Sequence, residues 1–397
     1  MAMQSTSGVP RRTAAKAVFW RDPAIRAIFW QILVVSVVAV LVWLAVSNVT
    51  ENMERQRIAS GFGFLGTESG FDIGDTMIPY SSASTYARAI WVGILNTLRV
   101  AVLGIIFATI LGTLVGIGRL SRNWLLARIC TVYVETIRNI PLLLQLFVWY
   151  KLLQLYAPGP KQAIDIGGIF ISNRGLRFPV PAANPIHEWM GVAFLVAIAA
   201  TWAMSRWAKA RQMRTGQQFH TILAGIGLLI GLPLIVWLVG GAPLAMSRPE
   251  LKGFNFAGGA EVLPEFFALL IGLTIYTATF IAEIVRAGIL AVNKGQSEAA
   301  AALGLRPGTA MRLVILPQAL RVIIPPMTSQ YLNITKNSSL AIAIGYPDIV
   351  AILNTTMNQT GQAIEGTLLI MACYLTVSLS ISLFMNWYNK RIALVER

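Results

Sequence analysis

Eight stretches of about twenty or more mostly apolar residues run through this chain, near 27–48, 89–118, 125–156, 189–207, 219–240, 265–290, 319–345 and 366–389. A helix rises 1.5 Å per residue and a bilayer core is about 30 Å thick, so about twenty such residues make one crossing. Lipid offers the backbone no hydrogen bonds, which leaves helices and closed barrels as the spanning solutions. Apolar runs of this length predict helices. The fold class is therefore an all-α polytopic membrane protein with about eight transmembrane helices. Composition agrees: 56% of the 397 residues are hydrophobic and 12% charged, about half the charge of a soluble domain. A mean hydropathy of +0.65 excludes an ordinary soluble enzyme, a coiled coil or a disordered chain.

Basic residues precede the first stretch and Ala45-Val46-Ser47 faintly resembles a cleavage site. Its apolar part is nearer twenty residues than the roughly 7–15 of a signal core, so it reads as a retained helix. A net charge of +15 would suit a nucleic-acid binder, but its distribution gives another reading. Eight crossings put both termini on one side. Segments on that side hold twenty Lys and Arg, among them Arg11, Arg12, Lys16, Arg21, Arg26, Arg206, Lys209, Arg211, Arg214 and Arg397, against eight on the other, among them Arg57. By the positive-inside rule both termini are cytoplasmic, and the charge calls for no nucleic-acid partner.

Cys130 and Cys373 lie in apolar runs, and His187 and His220 have no metal spacing, so neither a disulfide framework nor a zinc site is expected. The outside segments 49–88 and 157–188 are rich in Gly and Pro and read as loops. Small residues at Ala108, Gly112 and Gly116, and at Gly227 and Gly231, allow close helix approach, either within the subunit or at a dimer seam.

One long polar segment faces the cytoplasm, between the sixth and seventh spans. Ser297 is positioned to cap a short helix, Glu298 suits its positive end, alanines 299–302 form its body and Gly304 ends it. Pro307 then suits the opening turn of a second helix running through Val314 to Leu316 and Pro317. The expectation is a helix-turn-helix lying outside the membrane.

Glu298-Ala299-Ala300, Gly304, Val314, Leu316 and Pro317 resemble the EAA loop of ABC-importer permeases, with Val314 where Ile is usual. Gly93, Asn96-Thr97 and Arg99, the run Glu135-Thr136-Ile137-Arg138-Asn139-Ile140-Pro141-Leu142-Leu143, the run from Tyr276 to Gly288, and Lys336-Asn337-Ser338-Ser339-Leu340 resemble the amino-acid permeases of that class. The resemblance is to a long-form permease of the polar or general L-amino-acid uptake family, with a type I importer core plus extra helices. It implies a core in two parts, 89–156 and 265–391. Residues 1–88 then supply a cytoplasmic tail, an extra helix and a periplasmic loop, and 157–264 supply periplasmic loops with an inserted helix pair. It further implies that the loop 295–317, with Gly295, Ser297, Glu298, Ala299, Ala300, Gly304, Leu305, Arg306 and Pro307, is the coupling segment for an ATPase subunit. The implied partners are an ABC ATPase dimer, a second permease subunit that is a copy or a paralogue, a periplasmic amino-acid-binding protein and the lipid bilayer of the inner membrane. The chain has no G-x-x-x-x-G-K-[ST], the loop that cradles phosphates. No cofactor is expected on this chain, and ATP and Mg belong to the partner.

Ionisable groups inside spans cost about 2.5–3.5 kcal/mol each on insertion scales, so each calls for a partner or a purpose. Glu135 with Arg138, and Glu283 with Arg286, are spaced i,i+3 for ion pairing on one helix face. The third stretch, 32 residues, exceeds one crossing and is expected to bend at Pro141, with its first half along the interface. Pro325-Pro326 predicts a kink or break in the seventh span. Beyond it Asn333, Lys336, Asn337, Ser338 and Ser339 form a polar cluster suited to a substrate path or gate for an amino acid, whose carboxylate and ammonium need transient partners. The other reading of Lys336 is structural pairing. A secondary, ion-coupled amino-acid transporter would show inverted repeats, and an intramembrane enzyme would carry H-E-x-x-H or a serine elbow. No such motif or convincing repeat is present. The substrate expectation is glutamate, glutamine, aspartate, asparagine or a broad range.

Overall fold

The computed structural model describes residues 23–55 and 60–392. Arg11, Arg12, Lys16, Arg21, Arg57 and Arg397, which entered the count of basic residues, lie outside them. Among the described residues seven helices are long and apolar enough to cross a membrane. These are α1 (Pro23–Arg55), α2 (Tyr86–Gly118), α5 (Pro185–Thr215), α6 (Thr221–Val239), α7 (Pro264–Leu290), α10 (Leu316–Asn337, continuous with the elements on either side) and α12 (Ala363–Ile392).

The remaining expected span, the third stretch, is two helices, α3 (Trp124–Asn139) and α4 (Leu142–Tyr156). The break follows from Pro141: the preceding Ile140 takes an extended conformation, φ −94 and ψ 126, as the clash with the proline ring favours. The freed carbonyls of Ile137 and Ile140 each accept from the Gln145 side-chain amide at 2.9 Å, which closes the joint within the chain. α4 alone is too short to cross, and its burial against α7 replaces lipid exposure: Leu142 and Leu146 enter a cluster with Leu269, Leu273 and Tyr346.

α2 and α7 run parallel and form the central seam. A Cβ on Gly112 would lie 2.6 Å from that of Ile281, and one on Gly116 2.7 Å from the Ala282 carbonyl. That close approach is what small residues permit in lipid, where packing rather than water exclusion holds helices together. The Ala108–Gly112–Gly116 stripe thus serves contact within the subunit. A Cβ on Gly227 or Gly231 would meet nothing within 4 Å, so that stripe makes no close packing contact among the described residues.

The Tyr86 and Pro264 end of the seam is called upper, and the Gly118 and Leu290 end lower. α4 returns along the upper half of α7, where Tyr150 donates to Glu265 at 2.8 Å. α10 climbs from the lower end, with Ile323 packed at Gly288 and Ile334 at Gly104. It continues into a 3-10 helix, Ser338–Ile344, that ends at Gly345 with φ +82. A short helix, α11 (Ile349–Thr360), then leads to α12.

The segments read as loops contain short strands. Strands β1 (Ile164–Ile166), β2 (Ile169–Ser172), β3 (Gly175–Phe178) and β8 (Ala260–Val262) form one antiparallel sheet in that order. β4 (Val180–Pro181) pairs with β5 (Met246–Ser247), and β6 (Glu250–Lys252) with β7 (Asn255–Ala257). Two of these pairings join the chain before α5 to the chain after α6, and Arg177 with Glu261 at 2.5 Å ties β3 to β8.

Candidate functional site

The lower end carries the polar segment between α7 and α10. Helix α8 (Lys294–Ala302) is capped by Asn293, whose side chain accepts from the Gly295 N–H at 2.8 Å. Ser297 is therefore inside the helix and not its cap. Asn caps as well as Ser does, and by starting four residues earlier the helix gains a full turn. Gly304 stops it with φ +73, and the Gly304 and Leu305 N–H groups return to the carbonyls of Ala301 and Ala300 at 2.9 and 3.1 Å. Ala300 is buried, whereas Ser297, Glu298, Ala299 and Arg306 are exposed and Leu303 is 80% exposed.

Pro307 opens a four-residue turn, α9 (Pro307–Ala310). The expected second helix is not a separate element: a π-helical turn at Met311–Ile315 carries it without interruption into α10. The Gln318 side-chain amide donates to Gln296 at 3.2 Å and to the Val314 carbonyl at 3.0 Å. A side-chain hydrogen bond thereby braces α8 on the foot of α10.

Just above this foot, Glu283 of α7 pairs with Arg286 at 2.6 Å and also with Arg119 at the end of α2. Arg119 is a partner that spacing did not reveal, because it comes from another helix. Glu135 and Arg138 do not pair. Glu135 is exposed, and the Arg138 guanidinium lies over the Phe280 ring at 4.8 Å, a contact that competes with i,i+3 pairing.

Of the expected kink or break at Pro325 and Pro326, a break does not occur: α10 is continuous from Leu316 to Asn337. Both prolines sit on an exposed face while Ile323, Ile324 and Met327 are buried on the other side. That buried side packs in a cluster with Ile281 and Val285 of α7. The same uncovered face continues upward through Ser329, Asn333 and Lys336. The predicted polar cluster is divided by the structure. Asn333 and Lys336 project from the face, Asn337 is half-buried beside it, and Ser338 is buried, its hydroxyl donating to the Thr335 carbonyl at 2.7 Å. The Ser339 hydroxyl donates to the Lys336 carbonyl at 2.7 Å. Both hydroxyls thus close the end of α10. No carboxylate among the described residues pairs with Lys336, so its structural-pairing reading finds no partner there.

The upper end is held by groups from distant parts of the chain. Asn96, fully buried, donates to the carbonyls of Asp75 and Pro347 at 2.8 and 2.9 Å. The Asp75 carboxylate binds Arg99 with both oxygens at 3.1 Å, and Arg99 stacks 3.9 Å from the Phe266 ring centroid. Thr97 accepts from the Ile349 N–H at 3.1 Å, and a Cβ on Gly93 would be 2.9 Å from the Ile349 Cα. Asp348, fully buried in the turn between the last two spans, caps α11 by accepting from the Ala351 N–H at 2.8 Å. Burial pushes its carboxyl up to about 7 despite that hydrogen bond. An Asp directly before the apolar run Ile349–Leu353 is the cap signal that sequence reading offers for it.

Residues 104–394 match the model of a family described as the binding-protein-dependent transport system inner membrane component. The chain belongs to this family. It is 54% identical over 377 residues, covering 95% of this permease and 94% of the relative, to the general L-amino acid transport system permease protein AapQ of Rhizobium johnstonii. It is 49% identical, over 98% of this chain and 99% of the relative, to the putative amino-acid ABC transporter permease protein YhdX of Escherichia coli. It is 46% identical, over 100% of both chains, to the glutamate/glutamine/aspartate/asparagine transport system permease protein BztB of Rhodobacter capsulatus. Membership supports an importer permease over the ion-coupled secondary transporter. It also makes the chain a multi-pass membrane protein of the importer class.

Proposed function

We propose that this permease is the translocating subunit of an inner-membrane importer for polar L-amino acids, with both termini cytoplasmic. Energy comes from ATP hydrolysis in a separate ATPase dimer, and substrate from a periplasmic binding protein docking at the upper end. A second permease subunit, identical or related, faces this one.

The observation that carries the reading is the bracing of exposed α8 onto α10, the helix whose uncovered face bears Ser329, Asn333 and Lys336. A push on α8 moves the polar stripe directly, because Gln296 and Gln318 join the two and no flexible linker separates α9 from α10. The stripe offers an ammonium and an amide to a substrate carboxylate while the second permease closes the other side of the path. Such uncovered polar groups are expensive against lipid, which favours a protein or substrate neighbour there. The names of the relatives support free amino acids as cargo, with glutamate, glutamine, aspartate, asparagine or a broad set as the range. The test is Lys336→Ala in the purified complex: uptake should be lost while the ATPase still co-purifies. Normal uptake would overturn the role of the stripe.

A further inference from the structure

Among the described residues the helix pair α5–α6 makes no extended contact with α8 or α10, and α5 is the longer of the two, 31 residues against 19. Their register shows where the excess lies. A Cβ on Gly240 would collide with Ile186, and one on Gly225 would lie 2.9 Å from Thr201, so the helices are antiparallel and Ser205 stands opposite Thr221. Residues 186–205 already supply the roughly twenty that span a bilayer. The last ten residues of α5, 206–215, therefore overhang α6 at the lower end, by about 15 Å at 1.5 Å per residue.

That overhang carries Arg206, Lys209, Arg211 and Arg214, while no acidic residue occurs anywhere between Glu188 and Glu250. Three of the four are exposed and Arg211 is half-buried. None has a carboxylate partner among the described residues. Two of the four lie over tryptophan rings, the residue type enriched at membrane–water interfaces. Arg206 lies over Trp202 at 4.5 Å and Arg211 over Trp207 at 5.5 Å, and Phe219 folds back edge-on to Trp207. Among the described residues α5 and α6 pack on each other and make no extended contact with any other helix, so this chain leaves the stub uncovered.

We propose that the α5 overhang is a binding site for anionic phospholipid headgroups of the inner leaflet. Four cations without carboxylate partners, spread over about two and a half turns of helix and seated beside interfacial tryptophans, complement phosphodiester charge. Each basic residue near an anionic leaflet strengthens binding about fivefold. The proposal rests on the cytoplasmic placement of the lower end given above, but not on the cargo or on coupling.

The full-length chain, purified in nonionic detergent and stripped of lipid, is offered equal amounts of phosphatidylglycerol and phosphatidylcholine, and retained lipids are counted by native mass spectrometry. Phosphatidylglycerol should be preferred, less so as salt rises, and photoreactive phosphatidylglycerol should cross-link within 202–220. Arg206→Gln, Lys209→Gln, Arg211→Gln and Arg214→Gln should each lower the preference about fivefold, whereas replacing the three arginines by Lys should keep it. Combining all four substitutions should abolish the preference, and if that combined variant does not insert, the Arg211→Gln, Arg214→Gln pair is read in its place. Equal retention of both lipids, or a preference that the glutamine variants leave unchanged, overturns the proposal. So does loss of ATPase capture in those variants with lipid retention intact, which would make the ATPase the occupant. A topology reporter at Gln217 reads sidedness separately, so an inverted orientation is distinguished from a missing lipid site.

Discussion

Replacing Gly304 tests whether α8 must hold its shape to transmit force. The residue has φ +73, and a methyl at its Cβ position would meet nothing within 4 Å. The penalty for a side chain is thus conformational alone: about 1–2 kcal/mol for a left-handed L-residue, less for Asn and more for a β-branched one. α8 is nine residues long and only Ala300 within it is buried, so the strain is relieved by unwinding its last turn rather than by unfolding the bundle. A shift of 1–2 kcal/mol changes the population of correctly wound α8 by a factor of about 5–30. In the reconstituted complex, stimulation of ATPase activity by loaded binding protein should fall in the order Gly, Asn, Ala, Val. The thermal midpoint of the chain should stay unchanged. Equal stimulation in all four, or a midpoint that falls with the stimulation, would refute local strain at α8 as the coupling determinant.

Two further perturbations probe the upper end. Arg99→Leu leaves Asp75, which is 8% exposed, without its cation, and should destabilise the chain by about 3 kcal/mol. Adding Asp75→Asn should restore most of the loss in thermal melts, and no rescue would mean that Arg99 acts through Phe266 packing instead. Asp348→Asn keeps an oxygen for the Ala351 cap but cannot ionise. Because the folded carboxyl sits at about 7 and the unfolded one near ~4, the wild type is disfavoured progressively as pH rises between those values and by a constant amount above. The melting advantage of the Asn variant should therefore be absent at pH 4, grow towards pH 7 and level off beyond it. An advantage that does not depend on pH would point to packing.

The spanning helices were legible because lipid imposes a length and a composition that nothing else in a chain imitates. Pro141 announced its break, since a proline dictates both its own φ and its neighbour's conformation. Contacts made at long sequence separation were not legible. Nothing near Arg99 in sequence marks Asp75 as its partner, and Arg119 reaches Glu283 from 164 residues away. The strands β3 and β8, four and three residues long, are too short to signal a sheet, and their pairing joins segments that lie on either side of α5 and α6 in the chain. Where two local rules competed, spacing lost. Asn293 took the cap that Ser297 was also suited to fill, and Phe280 drew Arg138 away from Glu135.

Whether transport through this permease is driven by an ATPase on another chain can be measured directly. Proteoliposomes containing the purified chain should be compared with proteoliposomes containing it together with its companion permease, ATPase and binding protein, using labelled glutamate or glutamine. Accumulation should require the full set and ATP on the ATPase side of the membrane, and should be indifferent to proton or sodium gradients. Accumulation by this chain alone, driven by an ion gradient, would contradict an ATPase-driven mechanism.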